Sequence, residues 1–193
     1  MNGFQLPNVA SIKYLGVILE ENGGLKSDIA RTTNSFLRQF NALYSKFHYM
    51  DRNILYFLFK TYTSSFYAIE LWFGKIPISH LDKISIPYHK AVKRICGLNV
   101  WNSNHDACDI VGVSMFRHLM AKRIICFWYN LCMAKSPCVA NLNYYFRYNS
   151  IMFLKVKELF EDKYTVDISS NPLCAILARI DFVQRHEPRS HYV

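Results

Sequence analysis

Acidic residues are scarce in this chain. Asp and Glu number 14 against 23 Lys and Arg in 193 residues, a formal net charge of +9. Charged residues of both signs reach only 19%, below the usual quarter, so the expected surface is apolar for a free monomer. Part of it is expected to pack against something outside the chain. Breakers are also few, with 7 Gly and 6 Pro, and there is no Gly-rich phosphate loop, since Gly23-Gly24 is an isolated turn. Six cysteines, at 96, 108, 126, 132, 138 and 174, form no Cys-x-x-Cys pair, and the usual structural zinc spacings are missing. Nothing in the sequence couples one of these thiols to a histidine as a nucleophile. The opening Met1-Asn2-Gly3-Phe4-Gln5 lacks the basic start and apolar run of a secretion signal. The expectation is an intracellular protein with reduced thiols, with nucleus and cytoplasm not distinguished.

Hydrophobic residues make up 51% and aromatics 16%, with 13 Tyr and 14 Phe. That composition excludes a disordered tail, and the length suits one ordinary domain or two small ones with a sizeable core. The positive charge favours a polyanionic partner, either nucleic acid or an anionic surface. The largely apolar run from Asn53 to Phe73 carries Lys60, Glu70 and the cluster Thr61, Thr63, Ser64 and Ser65. Mid-span charge is costly in lipid, on the order of 2.5–3.5 kcal/mol, so a buried helix is expected there and no membrane partner.

The N-terminus reads as a β-hairpin of Phe4–Leu6 and Ile12–Leu19 about a Pro7-Asn8 turn. The remainder reads as helical. Ser27 is expected to cap a long helix with Ile29, Phe36, Phe40, Leu43 and Phe47 on one face. Arg31, Arg38 and Lys46 form a stripe away from that face. A second helix is expected from about Asp51 to Phe73. A third starts at a Ser79/Asp82 capping box, carries Leu81, Ile84, Tyr88, Val92 and Ile95 inward, and stops at Gly97, with a kink or break at Pro87. A short helix over Ser103–Val111 and a longer one over 115–134 capped by Ser114 follow. Weaker helices near 139–147, 150–162 and 172–183 precede a polar tail from Gln184. The predicted fold class is mainly α: a short N-terminal β-hairpin and about seven helices. A two-strand hairpin is not independently stable, so it is expected to be the edge of a sheet continued upstream.

Asp106 and Asp109 share a helix face, but no third carboxylate accompanies them. His105, Cys108 and Cys96 fit no zinc pattern. The basic positions are more informative. A helix apolar on one side and basic on the other can pack inward while facing phosphates. Arg31, Arg38 and Lys46 form one such set, and Lys90, Lys93, Arg94, Arg117, Lys122 and Arg123 a second.

The order of these pieces resembles one family. Ile12–Leu19, with its Lys13-Tyr14-Leu15-Gly16 core, is similar to the K-Y-L-G segment closing the palm of LINE-type (non-LTR) retrotransposon reverse transcriptases. The acidic turn Glu20–Gly24 follows it as in that family, and Ile29…Ser35-Phe36 is similar to the next helix, with Thr32 where the family usually has Arg. Leu58–Trp72 resembles the family's L-F-x-x-Y-x-x-S-F-Y-G-x-x-L-W segment, with Ala68 in place of the Gly. Tyr88–Leu98 resembles K-A-x-R-x-I-x-G-L, and matches to the following segments extend to about residue 135.

The resemblance implies a palm-edge hairpin (1–24), a thumb-like helical domain (25–98) and a post-thumb helical region (99–193). It implies a fragment of an RNA-directed DNA polymerase that contributes template-primer binding and no catalysis. The family's Tyr-x-Asp-Asp turn and further Asp have no counterpart here, so no catalytic residue, metal ligand or cofactor is assigned. Mg2+ would be bound by the missing palm. The partners implied are an RNA–DNA template-primer duplex, gripped without sequence preference, and the upstream palm and fingers of the same polyprotein. The nucleic-acid-binding positions are Tyr14, Leu15, Gly16, Arg31, Arg38, Lys46, Lys90, Lys93 and Arg94. The alternatives are an inert transposon-derived remnant and, less favoured, a membrane-associated helical protein.

Overall fold

A computed structural model describes residues 9–133 apart from 15, 65 and 73–77, the isolated positions 136, 137 and 141, and residues 173–186. The fold is mainly helical, with a short antiparallel hairpin at its N-terminal end. The hairpin pairs β1 (Ser11–Tyr14) with β2 (Val17–Glu20), in the register Ser11↔Glu20 to Tyr14↔Val17. The run expected as one strand is therefore two, folded about Gly16. That residue has φ +83°, a conformation that glycine reaches without steric cost. The strand expected at Phe4–Leu6 and its Pro7-Asn8 turn lie outside the described residues.

Helix α1 (Lys26–Phe47) buries Ile29, Phe36, Phe40 and Leu43, the face its periodicity predicts. Its start differs from expectation. No side-chain cap sits at the N-cap residue Leu25; instead the Ser27 N–H donates to Glu20 Oε1 at 2.8 Å. This lends the carboxylate of β2 to the helix N-terminus, and those hydrogen bonds hold Glu20 below the usual carboxylate range.

Helix α2 (Arg52–Tyr62) is much shorter than the expected span to Phe73. Asp51 caps it, accepting from the Asn53 N–H. It ends in the Thr/Ser cluster, whose hydroxyls bond back to the helix: Thr61 to the Phe57 carbonyl, Thr63 to Phe59 and Ser64 to Lys60. Such back-bonding competes with the helical ladder. Beyond it, Ala68 takes φ +62°, and the chain re-enters as a 3-10 turn over Ile69–Trp72. Arg123 holds this departure, donating to the carbonyls of Phe66 at 3.1 Å and Ser64 at 3.5 Å.

Helix α3 (Ile78–Cys96) continues through Pro87 without the break that is one of the two expectations there, and ends at Gly97 with φ +68°. Helix α4 (Asn104–Val111) is capped by Ser103, the expected first residue of this helix, whose Oγ accepts from the His105 and Asp106 N–H groups, and closes at left-handed Gly112. Helix α5 (Phe116–Met133) is not capped by Ser114 as expected. That hydroxyl accepts from Lys122 Nζ at 2.7 Å, and the Phe116 N–H donates to His89 Nε2 at 3.4 Å. Helix α6 (Leu173–His186) buries Ile176 and Ile180. Gln184 is buried in it as well, so the expected polar tail does not start there. The helices expected near 139–147 and 150–162 lie, but for Asn141, outside the described residues. Among the described residues no helix is long and apolar enough to cross a membrane.

The core is aromatic. Tyr88 stands at its centre, its ring 6.1 Å from both Phe36 and Phe59, 5.9 Å from Phe66 and 5.6 Å from Phe116. Three helices and the segment after α2 thus converge on one ring of α3. Each fully buried Phe of this kind contributes about 1.5–3 kcal/mol. The Tyr88 hydroxyl donates to the Ser114 carbonyl at 2.8 Å, which satisfies its one polar atom. Burial pushes that phenol well above its ordinary range.

Strain and burial each have a measurable effect on stability. A non-glycine residue at positive φ carries roughly 1–2 kcal/mol of strain, so Ala68→Gly should raise unfolding stability by about 1 kcal/mol in urea melts; a loss of stability would show that Ala68 is not strained. Burial is the chief cause that pushes His89 down from 6.5 to about 4, followed by Lys93, His105 and Arg117. Its folded pKa lies below the unfolded one, so the unfolded chain takes up the proton first. Stability should fall as pH drops from about 6.5 to about 4 and level off below, by on the order of 3 kcal/mol. Urea midpoints measured across that range should show less of this slope in His89→Gln, where an amide oxygen can accept from Phe116.

Candidate nucleic-acid interface

The first of the predicted phosphate contacts is engaged with a carboxylate of the protein. Arg31 lies beside Asp28, which is wholly buried at the start of α1. Asp28 Oδ1 accepts from the Ile18 N–H at 3.1 Å and from Arg31 Nε at 2.8 Å, and Oδ2 accepts from Trp72 Nε1 at 2.9 Å. Arg31 Nη2 also pairs with Asp28 at 2.8 Å and donates to Thr32 Oγ1 at 3.1 Å. A carboxylate buried this deeply needs a counter-charge and filled lone pairs. Arg31 supplies the charge, β2 a backbone donor and the 3-10 turn an indole donor. One side chain thus fastens the hairpin, α1 and the chain after α2 together.

Lys93 is likewise structural. Only 9% of it is exposed, and its Nζ donates to the Val100 carbonyl at 2.7 Å, across the α3–α4 loop. Desolvation lowers its pKa. Its ammonium is thus turned toward the loop backbone, whereas Lys90 on the same helix is exposed. From the second basic set, Lys122 pairs with Asp181 and Ser114, and Arg123 pairs with Glu70 at 3.7 Å besides bracing the chain after α2.

The remaining predicted cations are on the surface. Arg38, Lys46, Lys90, Arg94 and Arg117 are exposed. Arg38 Nε makes one long bond to the Asn34 carbonyl, at 3.4 Å. The Arg94 guanidinium lies 4.4 Å from the Tyr44 ring centre, joining α3 to α1 by a cation–π contact. Tyr14 is exposed at the hairpin tip, Gly16 is half-buried under the Tyr67 ring, and Leu15 lies outside the described residues. A cavity of about 210 Å³ opens between α1 and the chain after α2, lined by Arg31, Ser35, Gln39, Thr63, Phe66 and Tyr67. Of these cations Arg38, Lys46, Lys90 and Arg94 stand on the outer sides of α1 and α3, whose inner sides contribute to the aromatic core, and Arg117 stands on α5.

Among the described residues no three His, Cys, Asp or Glu side chains gather as a metal site. Burial pushes the Cys108 thiol up to about 12, with Asp109 and Cys96 adding to the shift. A thiol held so far above neutral pH supplies almost no thiolate for nucleophilic attack.

Asp28 was legible as a residue but not as a keystone. It stands one position before Ile29 on the apolar face, and only the distant Trp72 and Ile18 reveal what it does. Asp28→Ala would leave Arg31, the Trp72 indole and the Ile18 N–H without their acceptor. It should cost about 3–5 kcal/mol and shift Trp72 emission to the red, read by chemical melts and fluorescence. A loss below about 1 kcal/mol would show that the network is not holding the hairpin.

Comparison of the chain with protein-family models, with curated proteins and with solved structures finds no match.

Proposed function

We propose that the chain is the thumb-type, non-catalytic part of a LINE-type RNA-directed DNA polymerase, which grips the RNA–DNA template-primer duplex while an upstream palm performs the chemistry. The observation that carries this reading is the two-sidedness of α1 and α3: buried Phe36, Phe40, Ile84 and Tyr88 within, exposed Arg38, Lys46, Lys90 and Arg94 without. A face of this kind binds phosphates by charge, with no base readout.

The backbone adds support to the resemblance. Ala68 replaces the glycine of the L-F-x-x-Y-x-x-S-F-Y-G-x-x-L-W motif, and it is the one non-glycine residue at positive φ among the described residues. The motif's glycine thus falls where the backbone calls for one. Mg2+ belongs in this reading to carboxylates of the upstream palm. Arg38, Lys46, Lys90 and Arg94 remain the assigned contacts; Arg31 and Lys93 act instead by holding the scaffold.

The double variant Arg38→Glu/Lys46→Glu tests the assignment. Binding to an RNA–DNA hybrid should weaken, and the slope of log K against log salt should become shallower by about 2, near 0.9 for each phosphate no longer neutralised. Fluorescence anisotropy across a salt series checks this. A variant that binds as the parent does would overturn the site, and a flat titration of the parent at low salt would favour an inert remnant.

A further inference from the structure

Trp101 is the most exposed large apolar residue described, at 92%. An exposed indole at the tip of a loose loop would mean little, but this loop is braced by four ties. The Asn102 N–H closes a turn on the Asn99 carbonyl at 3.1 Å, placing Val100 and Trp101 at its tip. The Leu98 N–H bonds back to the Lys93 carbonyl at 2.9 Å, and Ser103 caps α4 immediately after. The fourth tie is the nearly buried Lys93 ammonium on the Val100 carbonyl. The ties fix the backbone that carries the indole, and a preorganised backbone lowers the entropic cost of binding.

The surroundings identify the kind of ligand. Residues 97–103 carry no charged side chain, while two exposed guanidiniums stand at the start of the loop. Arg94 lies one turn before Gly97, its guanidinium over the Tyr44 ring. A Cβ on Gly97 would stand 3.5 Å from Arg52 Nη2. Asp51, beside Arg52 in sequence, is engaged in capping α2. Lys90 lies on the face of α3 that carries Arg94, four residues earlier. An exposed ring on a loop that starts beside exposed cations matches a strand whose bases are unpaired, because such bases offer a face to stack and a phosphate to grip. A duplex keeps its bases stacked inside and offers only the phosphates.

We propose that the α3–α4 loop is a single-strand binding site in which Trp101 stacks on an unpaired base and Arg94 and Arg52 hold the neighbouring phosphates. The site rests on the reading of the chain as a nucleic-acid clamp; it shares Arg94 with the duplex contacts, while Trp101 and Arg52 are not among them and Arg38 and Lys46 stand on α1. It gives the protein a place to hold template that is not yet, or no longer, paired.

The test uses the full chain, a single-stranded oligouridylate of about 12 nucleotides and, separately, an RNA–DNA hybrid of similar length. Trp101→Ala should weaken oligouridylate binding roughly 5- to 100-fold and leave hybrid binding within about twofold. Trp101→Phe should retain most of the affinity, since a ring remains, and should abolish the quenching of indole emission that the parent shows on binding. Equal loss on both ligands, or no loss on either, would overturn the proposal. So would a parent that binds the hybrid but not the single strand, an outcome that leaves the clamp reading standing. A parent that binds neither removes the clamp reading as well. Vesicles of phosphatidylserine and phosphatidylcholine provide the last arm: if they shift Trp101 emission to the blue while oligouridylate leaves it unquenched, the loop is a membrane anchor and the proposal falls.

Discussion

The buried carboxylate of Asp28 is the constraint on which the placement of everything N-terminal to α3 depends. A two-strand hairpin has no stability of its own, and the described part of this one exposes every residue of its first strand. What fixes it is the Ile18 N–H on Asp28 and the Ser27 N–H on Glu20. The same carboxylate takes the Trp72 indole, so the point at which the chain returns from α2 is tied to the point at which it leaves the hairpin. A buried ion pair is seldom a net source of stability against a well-packed apolar replacement. Its value here is in geometry: of the ways to lay a hairpin on a helix, it admits the one that brings an N–H, an indole and a guanidinium to the same two oxygens.

The aromatic core works on a different principle. Tyr88 touches rings from α1, α2, the segment after α2 and α5, and its hydroxyl reaches the Ser114 carbonyl. Ring packing is nondirectional in the main, and many arrangements would bury the same area. The hydroxyl bond and the His89 acceptor for Phe116 select among them by fixing the start of α5 against α3. The two polar contacts sit one residue apart on α3, so α5 is located by a pair of adjacent side chains on a single helix.

The helices were legible where a face was periodic and an end carried its own signal. Ile29, Phe36, Phe40 and Leu43 identify α1, and Gly97 and Gly112 end α3 and α4 where their sequence positions suggest. What could not be read were features set by partners far away in sequence. The apolar run from Asn53 to Phe73 looks like one helix because its hydrophobicity is continuous. It breaks because Thr63 and Ser64 bond backward and Arg123, nearly sixty residues later, takes the freed carbonyls. Periodicity reports which side of a helix is apolar, but not where tertiary donors will interrupt it. The caps failed for the same reason: Ser27 and Ser114 have the right side chains, yet Glu20 and His89, from neighbouring elements, meet the backbone instead.

The basic residues show the limit of charge counting most clearly. Arg31 and Lys93 belong to the same composition signal as Arg38 and Lys90, and a sequence gives no means of separating them. The structure divides them by what each cation already holds. Arg31 is matched by a buried carboxylate, and Lys93 by a carbonyl. The division is not a loss of function for the inner pair. Arg31 keeps α1 in register with the hairpin, and so sets where Arg38 and Lys46 project. Lys93 fixes the loop that carries Trp101, beside the exposed Arg94 on the next residue of the same helix. Adjacent cations on α3 thus divide the labour, one turned inward to hold the backbone and one turned outward over Tyr44. Rigid placement of the outer charges depends on the burial of the inner ones.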